Sequence, residues 1–182
     1  LDSLSVTNVS STLKVLDTVQ LSVTGTFSDT SIQDLSSFVT WSVANNTILD
    51  VSTAGLVTAL SAGMTNVIAS SNGVSIQTNL SVKALSTLSI SPDSTTMAIN
   101  STQPLSVTGQ YSDNSTEAFD GLVTWESSNS GIASVSNAGE VLAVSVGTVS
   151  ISASADSVTE SVQVVVLPDL GSLALSNVTS TR

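Results

Sequence analysis

An internal repeat constrains the fold of this chain more than any other feature of its sequence. The triplet Val39-Thr40-Trp41 returns 84 residues later as Val123-Thr124-Trp125. Three pairs of glycines keep the same offset: Gly25 and Gly109, Gly55 and Gly139, Gly63 and Gly147. A pattern of this length, written twice without a gap, predicts two small tandem domains that each bury their own core.

Within each repeat, apolar and polar residues alternate over short stretches. The clearest stretch places Val19, Leu21, Val23, Gly25 and Phe27 on one side, with polar residues between them. A period of two is typical of a strand with one buried face, so we predict one continuous strand here. We find no helical period of 3.6 residues over any length. The pattern therefore predicts an all-β fold.

Turn signals separate the predicted strands. Gly55 follows Ala54 in a tight turn, where we predict a positive φ. Asn72-Gly73 is the strongest hairpin signal in the chain. Short strands with turns at this spacing are typical of a β-sandwich, and we predict seven strands in each repeat.

Each repeat contains one tryptophan, Trp41 or Trp125. In a binding module, an exposed tryptophan would stack on sugar rings. These two tryptophans instead lie within predicted strands, close to the inward-facing Val39 and Val123. We therefore predict that both rings belong to the structural core, as buried anchors of the two sandwiches.

The repeat also sets the domain boundaries. We predict a first domain at residues 1–84 and a second at residues 85–168. Residues 170–181 match residues 1–12, so residues 169–182 are predicted to be the truncated start of a third repeat. The two junctions are too short and too poor in glycine to be flexible linkers, which predicts a semi-rigid, end-to-end arrangement.

Composition excludes several classes of function. The formal net charge is −11, with only three lysines and arginines. Nucleic acid is excluded as a partner because its phosphates must be neutralised by such cations. No apolar run is long enough for insertion into a membrane. The chain has no histidine and no cysteine, so we predict no catalytic residues and no cofactor.

Acidic side chains in one loop region raise the question of a metal. Asp113, Glu117 and Asp120 follow the second long strand, and in an end-to-end arrangement we expect them near Ala84. Carboxylate oxygens are the ligands that Ca²⁺ prefers, so these three residues are the candidate calcium ligands. The alternative is a solvated acidic turn.

Several motifs occur in the same order in both copies. The first copy reads QLSVTGTFSD at residues 20–29, VTWS at 39–42 and VSTAGLVTA at 51–59, followed by Gly63. The second reads LSVTGQYSD at 105–113, VTWESSN at 123–129 and VSNAGEV at 135–141, followed by Gly147. This order resembles the bacterial Ig-like domain of group 2, and the resemblance covers nearly the whole chain.

The resemblance implies two tandem Ig-like β-sandwich domains plus the first strand of a third. It also implies a role, because such domains look like the extender modules of bacterial surface adhesins, intimin- and invasin-like proteins and some phage virion proteins. We therefore expect a non-catalytic stalk module of an exported, extracellular or cell-surface protein. Its partners would be neighbouring repeats, and the isolated fragment would be monomeric.

Two other functions stay open. In the first, loops or a sheet face bind a carbohydrate or a host protein, and exposed aromatic residues would support this; Phe119 is the candidate. In the second, the chain is a fibre subunit whose residues 170–181 are donated as a strand to a neighbour.

Overall fold

The structure, a computed structural model, describes residues 1–7 and 11–169 of the 182 residues. All regular secondary structure in these ranges is β, which confirms the predicted all-β fold. Within these described residues, each repeat contains ten strands where we predicted seven. The first ten are β1 (Ser3–Thr7), β2 (Thr12–Lys14), β3 (Thr18–Gln20), β4 (Ser22–Thr26), β5 (Ile32–Asp34), β6 (Thr40–Val43), β7 (Leu49–Val51), β8 (Leu56–Ala59), β9 (Gly63–Ser71) and β10 (Val74–Lys83). The second ten are β11 (Leu85–Ser91), β12 (Ser94–Ala98), β13 (Thr102–Pro104), β14 (Ser106–Tyr111), β15 (Thr116–Ala118), β16 (Thr124–Ser127), β17 (Ala133–Val135), β18 (Glu140–Ala143), β19 (Gly147–Ala155) and β20 (Val158–Leu167).

The chain folds into two compact units. Unit 1 consists of Leu1–Ala84 together with the short segment Tyr111–Asn114. Unit 2 consists of Leu85–Gln110 and the chain from Ser115 onward. The units therefore follow the sequence repeats, except that four residues written in the second repeat belong to unit 1. The predicted third repeat lies outside the described residues, apart from Asp169.

Both units have the same sheet topology. In unit 1 the four-stranded sheet has the order β2-β10-β9-β6, and two three-stranded sheets have the orders β1-β4-β5 and β3-β8-β7. Unit 2 repeats this with β12-β20-β19-β16, β11-β14-β15 and β13-β18-β17. Strand β2 runs parallel to β10, and β12 runs parallel to β20. The other described pairs are antiparallel.

The continuous strand predicted from Val19 to Phe27 is wrong, because the chain changes sheet at Leu21. Strand β3 pairs with β8, whereas β4 pairs with β1 and β5. Between them, the Leu21 amide donates to the Gly55 carbonyl oxygen at 2.9 Å. Leu21 is fully buried. Because the Leu21 side chain faces the core between β3 and β4, the alternation of apolar and polar residues continues without interruption. The sequence pattern therefore gives no sign of the change of sheet.

The second repeat breaks at the matching residue. The Leu105 amide donates to the Gly139 carbonyl oxygen at 2.9 Å. Pro104 ends β13, which pairs only with β18 at the edge of its sheet. A proline is tolerated there because an edge strand does not need every N–H for the ladder. Strands β5 and β15 were not predicted from the sequence pattern. They are short edge strands of the sheets β1-β4-β5 and β11-β14-β15.

The core of unit 1 consists of two clusters, and the four-stranded sheet contributes residues to both. The first packs the four-stranded sheet against β3-β8-β7, and the second packs it against β1-β4-β5. The buried members of the first are Leu13, Leu21, Leu49, Val57, Ala59, Val67, Leu80 and Val82. The buried members of the second are Leu4, Val23, Val39 and Ala69.

Unit 2 buries the equivalent positions, except that Val123, which matches Val39, is partly exposed. Phe119 is also buried there, with 6% of its surface exposed. The prediction of Phe119 as an exposed aromatic is therefore wrong. Its ring lies against the backbone of Gly109, where an added Cβ would come within 2.4 Å of Phe119 Cε2. The ring fills the space that the glycine leaves.

Two predicted turns are confirmed. Gly55 has a φ of +80°, and the β9–β10 hairpin turns through Asn72 at +50° and Gly73 at +77°. Positive φ at both central residues is the hairpin geometry that matches the twist of the flanking strands. The two glycines differ in their surroundings. A Cβ on Gly73 would meet nothing within 4 Å, whereas one on Gly55 would lie 2.8 Å from Trp41 Cε2.

This difference predicts unequal costs for the same substitution. Gly73→Ala should destabilise unit 1 by about 1–2 kcal/mol, the cost of a left-handed conformation with a Cβ. Gly55→Ala should cost about 2–5 kcal/mol, because the methyl group also displaces the indole. Urea unfolding followed by Trp41 fluorescence, in a Trp125→Phe background, measures both. Equal costs would contradict the packing of Trp41 on Gly55.

Candidate functional surfaces

The two predicted core tryptophans occupy matching places. Trp41 lies on β6 and packs against both core clusters of unit 1. Its indole Nε1 donates to the Ser36 carbonyl oxygen at 3.3 Å. Trp125 lies on β16, paired with Ala153, and its ring approaches Gly139 as Trp41 approaches Gly55. Both rings are half-buried, and Trp41 lies at the edge of the core clusters against which it packs.

The three candidate calcium ligands, Asp113, Glu117 and Asp120, lie in the chain region that follows strand β14. Among the residues that the structure describes, no group of three or more acidic, histidine or cysteine side chains could hold a metal ion. Asp113 belongs to unit 1, and Glu117 and Asp120 belong to unit 2. Glu117 lies on β15, opposite Gly109. The calcium site at these three residues stays a prediction.

Asp120 has a structural task instead. Its Oδ1 accepts a hydrogen bond from the Val107 amide at 2.8 Å. In unit 1 the matching residue is Ser36, whose hydroxyl accepts from the Val23 amide at 2.9 Å and donates to Asp34 Oδ1 at 2.6 Å. One carboxylate in unit 2 therefore replaces a serine–aspartate pair in unit 1.

Asp29 and Asp34 each close a tight turn. Asp29 Oδ1 accepts from the Ser31 hydroxyl at 2.6 Å and from the Ser31 amide at 3.0 Å. Asp34 Oδ1 accepts from the Ser36 hydroxyl and amide in the same way. The serine hydroxyl, followed by the serine amide, holds the pKa of each carboxyl below its usual value. These bonds favour the ionised form because they donate to it.

A pH dependence follows from these lowered pKa values. A carboxyl whose pKa is lower in the folded state stabilises the fold above its unfolded pKa, and this is lost as the pH falls below about 4. The double variant Asp29→Asn, Asp34→Asn keeps an oxygen acceptor but cannot titrate. Its melting temperature should therefore fall less between pH 5 and pH 3 than that of the unmodified protein. Asp50→Asn, at an exposed position on β7, is the matched control, and an equal effect there would contradict the assignment.

The segment Tyr111–Asn114 forms a distinctive cluster within unit 1. Lys83 Nζ lies 4.1 Å from the centroid of the Tyr111 ring, and Lys14 Nζ lies 5.3 Å from it. The Ser112 amide donates to the Ala84 carbonyl oxygen at 2.9 Å, and the Ala84 amide donates to the Ser112 hydroxyl at 3.2 Å. Two of the three cationic side chains of the protein thus lie on one buried ring, which attracts them through its negative face.

A double-mutant cycle tests this cluster. Lys83→Met keeps most of the apolar stem and removes the charge, and Tyr111→Leu keeps an apolar group and removes the ring. The coupling free energy should be about 0.5–2 kcal/mol, the range of a cation–π pair. Unfolding of unit 1 is again followed by Trp41 fluorescence in the Trp125→Phe background.

Phe27, at the position that matches Tyr111 in the first repeat, provides the control. Phe27→Leu combined with Lys83→Met should give additive effects. Additive effects for the Tyr111 pair as well would show that the lysine and the ring do not interact.

The four-stranded sheet of unit 2 presents hydroxyl groups on its outer side. On β19, buried Val149, Ile151 and Ala153 alternate with more exposed serine and threonine residues. Their partners on β20 are also polar through most of the strand. We name this surface the hydroxyl face, with the members Thr148, Ser150, Ser152, Ser154, Thr159 and Ser161.

The hydroxyl face is partly engaged with its own sheet. The Ser152 hydroxyl donates to the Glu126 carbonyl oxygen, and the Ser154 hydroxyl donates to the Thr124 carbonyl oxygen, both at 3.4 Å. In the described part of the chain, every buried side-chain nitrogen and oxygen has a hydrogen-bond partner. The same part contains no helix that is long and apolar enough to cross a membrane.

The fold and these surfaces define a class of protein, tandem immunoglobulin-like β-sandwiches. Residues 1–82 and residues 84–166 each match the bacterial Ig-like domain (group 2). These matches cover most of the chain, so it belongs to that family. The resemblance inferred from the repeated motifs is thereby confirmed.

Particular relatives give the comparison more detail. Over 142 residues the chain is 34% identical to ice-binding protein 1 of Shewanella frigidimarina (strain NCIMB 400), a match that covers 74% of this chain but 16% of that protein. Among solved structures, domains 1–6 of the surface layer protein SbsC match with a TM-score of 0.54 and 21% identity, covering 95% of this chain and 28% of that one. Domains 4 and 5 of SbsC match with a TM-score of 0.53 and 20% identity, covering 91% and 98%. At this identity the structural likeness shows the shared fold alone.

Proposed function

We propose that this chain is a non-catalytic extender module of a large, repetitive, exported protein of the adhesin type, located at the cell surface or outside the cell. The observation that carries this proposal is the reproduction of one sandwich design in the second unit. Sheet orders, the break at Leu21 or Leu105, and the contact of glycine with tryptophan all recur. The second unit repeats the sandwich of the first without a new kind of site. This supports a role in which the number of repeats sets the length of the protein.

The surface chemistry supports the same role. Fourteen acidic residues and three basic ones leave the net charge at −11, which favours solubility and disfavours self-association. The polar positions on the described sheets are filled largely by serine and threonine, and some of these hydroxyls donate back to the backbone. We propose that the module needs no cofactor and that its partners are neighbouring repeats.

Load along the chain would be resisted by the paired strands. The last strand of each unit is its longest, and β10 is paired along its length with β9 and at its end with β2. Each repeat would add roughly the length of one such strand, about 3.3 Å per residue for ten residues, and loops would add to this. Repetition would multiply the reach without a new interface chemistry.

Small-angle scattering tests the extender proposal. We expect a monomer for the single chain, and a tandem fusion of two chains should be monomeric and have about twice its maximum dimension. An extender must add length with each repeat, so an unchanged maximum dimension would contradict the proposal. Concentration-dependent oligomers that disappear on deletion of residues 170–182 would instead favour the fibre subunit joined by donated strands.

A second candidate function is binding to ice or to another ordered, hydroxylated surface. The observations that favour it are the hydroxyl face and the name of the ice-binding relative. Strands spaced about 4.8 Å apart set hydroxyl groups in rows, although sheet twist turns successive rows away from one plane. The matched region is only 16% of that relative, so the relative's name does not assign ice binding to this region.

Ice recrystallisation assays on the chain separate the two candidates. The extender proposal predicts no inhibition of ice growth beyond that of a protein control of similar size. Inhibition that is lost in the double variant Ser150→Tyr, Ser152→Tyr, but kept in Ser75→Tyr on β10 of unit 1, would instead assign ice binding to the hydroxyl face.

A further inference from the structure

Matching ends of the two units differ in their side chains. In unit 1 this end contains Lys14 and Lys83, which are direct neighbours across the parallel pair β2 and β10. In unit 2 the matching neighbours across β12 and β20 are Ala98 and Leu167. The cationic pair of unit 1 is thus replaced by an apolar pair in unit 2.

The surroundings of Leu167 are apolar as well. Val146 precedes Gly147, which pairs with Val166, so Val146 and Leu167 lie at the same end of unit 2. Val146 is 54% exposed and Leu167 is 48% exposed. We name Val146 and Leu167 the apolar end. The matching residues of unit 1 are Ala62 and Lys83.

The matching end of unit 1, which contains Lys14, Lys83 and Ala84, indicates what kind of segment could bind to the apolar end. There, the segment Tyr111–Asn114 lies on the lysines and on Ala84, and the Tyr111 ring is only 4% exposed. This segment begins with an aromatic residue followed by serine and aspartate. The sequence Phe27-Ser28-Asp29 has the same pattern 84 residues earlier, and Phe27 is less buried than Tyr111.

We propose that the apolar end of unit 2 is a docking surface for the aromatic–serine–aspartate turn of a further Ig-like repeat. An aromatic ring of that turn would pack on Leu167 and Val146 by apolar contact. In unit 1 the Tyr111 ring instead contacts the ammonium groups of Lys14 and Lys83. This inference rests on the proposed extender function, because it supplies the residues by which one repeat holds the next.

The backbone at this end allows part of the polar contact seen in unit 1. Pro168 occupies the position of Ala84 and has no N–H. It cannot make the bond that the Ala84 amide makes to the Ser112 hydroxyl. Its carbonyl oxygen can still accept from the amide of a docking serine, as the Ala84 carbonyl does. Docking at this end would therefore have one backbone hydrogen bond fewer than in unit 1, and would depend more on apolar contact.

A tandem fusion places the proposed partners together. Residues 1–168 are followed directly by a second full copy of the chain, so that Phe27 of the second copy stands 28 residues after Leu167. Tyr111 stands 28 residues after Lys83 in the natural sequence. The covalent link supplies a high effective concentration, which makes weak docking measurable.

Methyl NMR of leucine and valine provides the readout. In the fusion, the methyl groups of Leu167 and Val146 in the first copy should shift upfield through the ring current of Phe27, relative to the single chain. Phe27→Ala in the second copy should abolish the shift. Phe38→Ala in the second copy, at an aromatic residue that is 75% exposed, should leave it in place.

Substitutions at Leu167 of the first copy test the surface itself. Leu167→Lys should retain docking, because it recreates the lysine found at position 83, with the remaining Val146 methyls as the probe. Leu167→Asp should abolish docking, because it places a carboxylate against the ring and the aspartate of the turn. Circular dichroism checks that each variant is folded.

The outcomes separate this inference from the extender proposal. Methyl positions that are identical in the fusion and the single chain would overturn the docking surface, and so would equal effects of Phe27→Ala and Phe38→Ala. If the fusion still reached about twice the maximum dimension in scattering, the extender proposal would survive that result. A fusion that failed to lengthen would contradict the extender proposal whatever the methyl groups showed.

Discussion

Gly55 meets two requirements at one point in unit 1. Its carbonyl oxygen holds the Leu21 amide where the chain passes from one small sheet to the other. Its backbone lies against the indole of Trp41, so close that a Cβ would be 2.8 Å from the ring. The ring in turn packs on both core clusters. Gly139 repeats this beside Trp125, where an added Cβ would also come within 2.7 Å of the Leu105 carbonyl oxygen. The change of sheet, the tight turn and the packing of the tryptophan therefore all depend on a glycine, which has no side chain, at this position.

Much of the fold could be predicted because its signals are local. The 84-residue offset, the positive φ of Gly55 and the Asn72-Gly73 hairpin each depend on residues close in sequence. The break at Leu21 could not be predicted, because its side chain faces inward before and after the change of sheet. Strand β5 was missed for a related reason. All three of its residues are exposed, so it carries no alternation to detect.

The candidate surfaces were harder to predict because they depend on long-range placement. Asp113, Glu117 and Asp120 are close in sequence, yet Asp120 replaces Ser36 as the acceptor of a buried strand's amide. Phe119 looked like an isolated aromatic, but Gly109 leaves the space that it fills. The sequence contains only three lysines and arginines, and Lys14 and Lys83 are two of them. Nothing local indicated that both would lie on Tyr111.

The inclusion of Tyr111–Asn114 in unit 1 has a consequence for the gene. A duplication of residues 1–84 would place the turn that begins at Phe27 after the first Lys83, and would leave the turn that begins at Tyr111 after the second. Both copies begin that turn with an aromatic residue followed by serine and aspartate. The lysines would therefore still meet an aromatic ring after such an event. A whole period can therefore be duplicated without the loss of the aromatic residue that stands 28 positions after Lys83.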